Sequence, residues 1–213
     1  MERSRLTADV TLPREPKQER SRLKQTALLE SARVLFTDPG FEHVTADDIA
    51  EHAGYGTGTF YNYFTNKTQV FLMVAGLHET AIVPTLASIT DALEAGGSLR
   101  EVAHAIVHRV IEDRQQVPWL RRTWLRLALT DPEVDAVQTR LDEEWGLAIS
   151  EVIAQVMDAM DITDPPGSPL AIAHTIRVLV DAVADEVVLS GTLSADEAAS
   201  TAAALIAGLV HND

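Results

Sequence analysis

The sequence predicts an all-α protein: a three-helix N-terminal head followed by a larger helical body. Three observations predict it. Apolar residues recur at three- and four-residue steps over most of the chain, which gathers them on single helix faces. Helix-start patterns repeat, a Thr or Ser followed three positions later by an Asp or Glu, at Thr45–Asp48, Ser98–Glu101 and Ser194–Glu197. No segment shows the period of two that a half-buried strand requires.

Residues 1–19 hold Pro13 and Pro16 without apolar periodicity and are expected to form a flexible basic arm. From Arg20 a first helix places Leu23, Ala27, Leu28, Ala32, Leu35 and Phe36 on one face and stops at Asp38-Pro39-Gly40. After the connector Phe41-Glu42-His43-Val44, Thr45 caps a second helix that ends at Gly54. Tyr55-Gly56 makes a turn, and a third helix spans about Thr57 to Phe64. These elements define a head over residues 20–66 and a body over residues 67–213.

Within the body, Asn66 caps a long helix from Lys67 to about Ala95, with a kink expected at Pro84. Further helices run from Ser98 to about Gln116, from Pro118 to Thr130 and from Pro132 to about Met160. The loop Asp164-Pro-Pro-Gly-Ser168 precedes a helix ending near Gly191, and Ser194 opens the last one, to about Val210.

The chain has no cysteine, which excludes disulfides, thiolate metal sites and cysteine nucleophiles. Apolar residues make up 46% of it, enough to bury a core, yet no apolar run is long enough to span a membrane. With no signal-peptide pattern at the N-terminus, a cytoplasmic location is expected. The net charge of −15 argues against a general nucleic-acid binder. Its distribution points elsewhere: residues 1–67 carry 9 basic and 10 acidic side chains, the remainder 8 and 22. An acidic body leaves any DNA contact to the head.

The segment from Thr45 to Lys67, TADDIAEHAGYGTGTFYNYFTNK, holds two short helices joined by a glycine-containing turn, which is helix-turn-helix architecture. Its second helix is the one that enters a major groove. Ile49, Ala53 and Phe60 pack the helices together. Phosphate contacts are expected from Thr45, Tyr61, Tyr63 and Lys67, and base-edge contacts from Thr57, Gly58, Thr59 and Asn62. Arg14, Lys17, Arg20 and Arg22 are expected along the DNA backbone or minor groove.

This head resembles the DNA-binding domain of the tetracycline-repressor family. The resembling residues are Phe36, Gly40, Phe41, Thr45, Ile49, Ala50, Ala53, Gly54, the run Gly58-Thr59-Phe60-Tyr61-Asn62-Tyr63-Phe64, and Lys67. They cover roughly residues 20–70. One departure stands at Gly56-Thr57, where the family often has a small polar residue and then a basic one; the helix cap and one phosphate contact are weaker here. The resemblance implies a repressor, released from its operator by a small-molecule effector held among the middle helices. Candidate lining residues are Met73, Leu77, His104, His108, Trp119, Trp124, Leu125, Leu129, Trp145 and His174. Tryptophan and methionine at helical spacing are also ordinary core residues.

Helix-turn-helix proteins read paired half-sites as dimers, so a homodimer on a palindromic operator is expected. Its apolar face is sought in the last two helices: Ile172, Ile176, Leu179, Val180, Val183, Val187 and Val188, then Ala198, Ala202, Leu205, Ile206 and Leu209. His104 and His108 lie one turn apart, but no third ligand stands at useful spacing, so no metal and no cofactor are expected. Arg121, Arg122 and Arg126 are expected to pair with Glu143 and Glu144 or to meet an anionic ligand. No nucleophile elbow, phosphate loop or His-Glu metal motif is present, so an enzyme is not expected. An activator, or an interaction module of the same fold, are the alternatives.

Overall fold

Helix-start chemistry organises this chain. The computed structural model describes residues 19–77, 89, 92–93 and 95–210, and no strand occurs among them. The arm with Arg14 and Lys17, and the kink expected at Pro84, lie outside the described residues. The helices are α1 (Glu19–Leu35), α2 (Ala46–His52), α3 (Thr57–Tyr63), α4 (Lys67–Leu77), α5 (Leu99–Gln116), α6 (Pro118–Thr130), α7 (Pro132–Ala159), α8 (Pro169–Asp185) and α9 (Ala195–Val210). No helix among the described residues is long and apolar enough to cross a membrane.

The three expected capping boxes are present. Asp48 N–H donates to Thr45 Oγ1 at 3.2 Å, and Thr45 N–H donates back to Asp48 Oδ2 at 2.8 Å. Ser98 and Glu101 make the same exchange at 3.2 and 3.0 Å, and Ser194 and Glu197 at 3.3 and 3.4 Å. Each exchange satisfies amides that a helix start leaves orphaned. Asn66 Oδ1 accepts from Gln69 N–H at 2.7 Å, so the cap expected for α4 also forms.

The chain divides into two compact units: Met1–Glu79 with Trp119–Leu141, and Thr80–Pro118 with Asp142–Asp213. The first is built around aromatic rings. Phe36 and Phe41 lie with centroids 5.1 Å apart, Phe41 and Phe71 5.4 Å apart, and Trp119 and Trp124 close on Phe36 and Phe71 at 6.3 and 6.1 Å. Leu28, Ala32, Ile49, Phe60 and Phe64 complete the interior. Leu23, expected on the buried face of α1, is 64% exposed, because burial along α1 begins only at Leu28. Polar ties also join elements of this unit: Thr68 Oγ1 donates to Asp131 Oδ2 at 2.7 Å, and Trp124 Nε1 donates to Gln138 Oε1.

In the second unit α9 packs on α5 and α8. Its alanines at 198, 199, 202 and 203 are buried, and their small size lets α9 sit close against Val107, Val110 and Ile111 of α5. Ile153, Val156 and Met157 of α7 and Ile172, Ala173 and Ile176 of α8 join the same core. An ionic cluster borders it. Arg114 holds Asp181 and Asp185, and Arg177 reaches Asp142 at 2.8 Å and Asp181 at 3.1 Å.

The capping carboxylates titrate low. The Thr45 hydroxyl and then its amide hold Asp48 below its ordinary value; the Ser98 amide and then its hydroxyl do so for Glu101, and the Ser194 hydroxyl and then its amide for Glu197. A depressed carboxylate stabilises the fold above its unfolded pKa and loses that contribution as pH falls through the folded value. The triple variant Asp48→Asn, Glu101→Gln, Glu197→Gln is therefore expected to be less stable at neutral pH. Its urea midpoint should also fall less steeply than the parent's between about pH 5 and pH 2. Parallel pH profiles would contradict this.

Candidate nucleic-acid interface

The turn between α2 and α3 is set by backbone geometry. Gly54 adopts φ +77°, a left-handed conformation that side chains disfavour. It allows Gly54 N–H to donate to Glu51 O at 2.9 Å and Tyr55 N–H to donate to Ala50 O at 2.8 Å. The chain then reverses into α3, whose Phe60 is fully buried and locks it onto the head. Gly56 is the N-cap of α3 and supplies no side-chain hydrogen bond, in line with the departure noted in the sequence.

With Phe60 inward, one edge of α3 is open. Gly58, Tyr61 and Asn62 are exposed, Tyr61 to 59%, and Thr57 and Thr59 are half-buried beside them. A Cβ placed on Gly58 would meet no atom within 4 Å, so its backbone is open to a partner. Thr45 is exposed at the start of α2, with its hydroxyl directed to Asp48. This edge combines hydroxyls, an amide and bare backbone, a mix that suits phosphate oxygens and base edges.

Two residues expected at phosphates are engaged within the head. Tyr63 Oη and Ser21 Oγ share a hydrogen bond of 2.7 Å, tying α3 to the first turn of α1. Lys67 Nζ donates to Phe41 O at 2.6 Å and to Val44 O at 2.8 Å, and stands 4.1 Å from the Phe41 ring centroid. Burial pushes its ammonium below the ordinary lysine value. Sequence reasoning missed Ser21, because its contact spans 42 positions and leaves no local pattern. Lys24, which with Arg20 and Arg22 is expected from the sequence to compensate for the weak start of α3 at Gly56-Thr57, has its ammonium 5.6 Å from the Tyr55 centroid. With Arg20 and Arg22, Lys24 gives α1 a basic start.

The candidate ligand-lining residues fall in both units. In the first, Trp119 and Trp124 pack into the aromatic core and Met73 and Leu125 are half-buried, while the side chain of Leu77 lies outside the described residues. Leu129 is 88% exposed, because it lies on the outer face of α6. In the second, Trp145 packs against the core, and the His104 and His108 rings stack at 5.8 Å. His104 faces Asp196 at 3.4 Å and His108 faces Glu112 at 3.6 Å. His174 is exposed and lies against Gly146, where an added Cβ would stand 3.0 Å from its ring. Arg126 was expected to meet Glu143 or Glu144; it pairs with Glu42 instead.

Residues 28–74 match the model of the bacterial regulatory proteins of the tetR family. Over these residues the head is similar to the DNA-binding domain of that family. Proteins that carry this domain are bacterial regulatory proteins. The transposon Tn10 TetC protein of Escherichia coli is 23% identical over 137 residues, 60% of this chain and 70% of that protein. Two helix-turn-helix regulators of Bacillus subtilis are matched over 46% and 47% of their length, so the chain spans about half of each. Among solved structures, NalD of Pseudomonas aeruginosa, the secondary repressor of a multidrug efflux pump, is similar in fold with a TM-score of 0.66 and 16% identity. The match covers 91% of this chain and 99% of that one. FadR of Thermus thermophilus, a repressor solved with lauroyl-CoA, has a TM-score of 0.63 and 20% identity, over 89% and 96%.

In this head the Ser21–Tyr63 bond joins α1 to α3. Ser21→Ala and Tyr63→Phe are expected to be non-additive, with a coupling of about 0.5–1.5 kcal/mol in a double-mutant cycle of urea stabilities. Strict additivity would show that the hydroxyls act separately.

Proposed function

We propose that this protein is a homodimeric repressor that sits on a palindromic operator and leaves it when a small-molecule effector binds its helical body. The observation that carries the reading is the open edge of α3, where Thr57, Gly58, Tyr61 and Asn62 face outward around a buried Phe60. Thr57, Gly58, Thr59 and Asn62 read base edges. Tyr61 and the start of α2 at Thr45 meet phosphates, Tyr63 supports α3 from behind through Ser21, and Arg20, Arg22 and Lys24 add cationic reach from α1. The acidic remainder of the chain repels phosphates and confines contact to this head.

The dimer reading rests on α8 and α9. Six of the twelve residues expected at that face, Ile172, Ile176, Val187, Ala198, Ala202 and Ile206, are buried in the chain's own core. The physical reason is that α9 turns its alanine face to α5, which draws these positions inward. What remains outward is Val178, 56% exposed, and Leu205, 53% exposed, with Leu179, Val180, Val183 and Leu209 half-buried at their margins. These residues supply the apolar patch that a second copy covers. Two related folds, NalD and FadR, are named as repressors, and the lauroyl-CoA in FadR supports an effector taken by the body. Such a regulator works in the cytoplasm, and no catalytic role is assigned to it.

The test is selection of duplexes from a random pool, followed by affinity measurements across a salt series. A selected sequence bound about a thousandfold more tightly than a scrambled one supports the reading, and no discrimination refutes it. Asn62→Ala is expected to relax the preference at one base position by about 1–3 kcal/mol. Leu205→Glu is expected to give a monomer in sedimentation and to lose most operator affinity. A Leu205→Glu protein that remains dimeric would place the interface elsewhere.

A further inference from the structure

Two cations approach the ring of Phe41. Lys67 Nζ stands 4.1 Å from its centroid and Arg126 Cζ 5.8 Å. Both also grip the chain around that ring. Lys67 donates to the carbonyls of Phe41 and Val44, and Arg126 pairs with the carboxylate of Glu42. The segment they hold is a single 3-10 turn, Phe41–His43, entered through Gly40 at φ +102° and left through Val44 in extended conformation. The backbone bond that closes it, from Val44 N–H to Phe41 O, is 3.4 Å long. Such a turn does not fix its own direction, yet Thr45, the cap of α2, follows it at once. The place where α2 begins therefore depends on what grips residues 41–44, and α3 is packed on α2.

We propose that Lys67 and Arg126 are positioning residues for DNA reading, a two-cation clamp on the connector 41–44 that holds α2 and α3 in register with α4 and α6. The inference rests on the reading that α3 recognises DNA, and it gives Lys67 a role other than phosphate ligand. Two of the three N–H groups of Lys67 are spent on carbonyls within 2.8 Å, and its charge already faces an aromatic ring. Arg126 acts from the outside of the same turn, through a surface ion pair with Glu42.

The test compares the parent protein, Lys67→Met and Arg126→Gln on a duplex selected by the parent and on a scrambled one, over a range of salt. For Lys67→Met a clamp predicts a loss of about tenfold on the selected duplex, with scrambled binding unchanged. The slope of log affinity against log salt should not move. Arg126→Gln should show the same pattern at about threefold, as befits an exposed pair. A phosphate ligand predicts weaker binding to both duplexes and a slope reduced by about 0.9, which would overturn the proposal. Unchanged discrimination in both variants would overturn it as well. Should Lys67→Met fail to fold, Arg126→Gln decides by the same criteria. If the parent selects no duplex, the DNA reading itself fails and the clamp with it. A parent that discriminates while the variants behave as phosphate-contact losses sinks the clamp alone.

Discussion

The first unit depends on the burial of Phe41. Its ring sits 5.1 Å from Phe36 and 5.4 Å from Phe71, and so joins the end of α1 to the middle of α4. Aromatic pairs at such spacing add about 0.5–1.5 kcal/mol each beyond their buried area. Trp119 and Trp124 extend the cluster to α6. The connector thus becomes the point at which three parts of the chain, far apart in sequence, meet one ring. Gly40 makes this possible, because φ +102° lets the chain turn into the ring at the end of α1.

Electrostatics divide the labour differently. Helix starts are served by short-range carboxylates at Asp48, Glu101 and Glu197, each within three residues of its Ser or Thr. The second unit instead uses long-range pairs, with Arg114 and Arg177 sharing Asp181. Capping exchanges add to single helices, while the shared carboxylate binds α5 and α8 into one acidic-rimmed body. A polyanion approaching that body meets repulsion, and α1 with Arg20, Arg22 and Lys24 offers it the compensating charge.

Local signals in the sequence were faithful because their physics is local. The capping boxes, the Asn66 cap, the Pro118 and Pro132 starts and the Gly54 turn all depend on residues within a few positions, and each stands where the sequence puts it. The outward edge of α3 was legible for the same reason, since Phe60 fixes which side faces in. Partner choice was not legible. Lys67 reaches 26 positions back, Tyr63 reaches 42, and Arg126 finds Glu42 rather than the nearer Glu143 or Glu144. Nor did apolar periodicity in α8 and α9 distinguish a chain's own core from a face for a second copy, because both present the same pattern.

Asp131 has two obligations. One oxygen accepts from Glu133 N–H at 3.0 Å and caps α7, while the other accepts from the Thr68 hydroxyl at 2.7 Å and anchors the start of α4. A single change there severs both at once, whereas Leu129, two residues earlier and fully at the surface, carries neither. Over evolutionary time the two neighbours face opposite selection. Position 131 should resist replacement in descendants of this gene, and position 129 should wander through the polar and apolar residues alike.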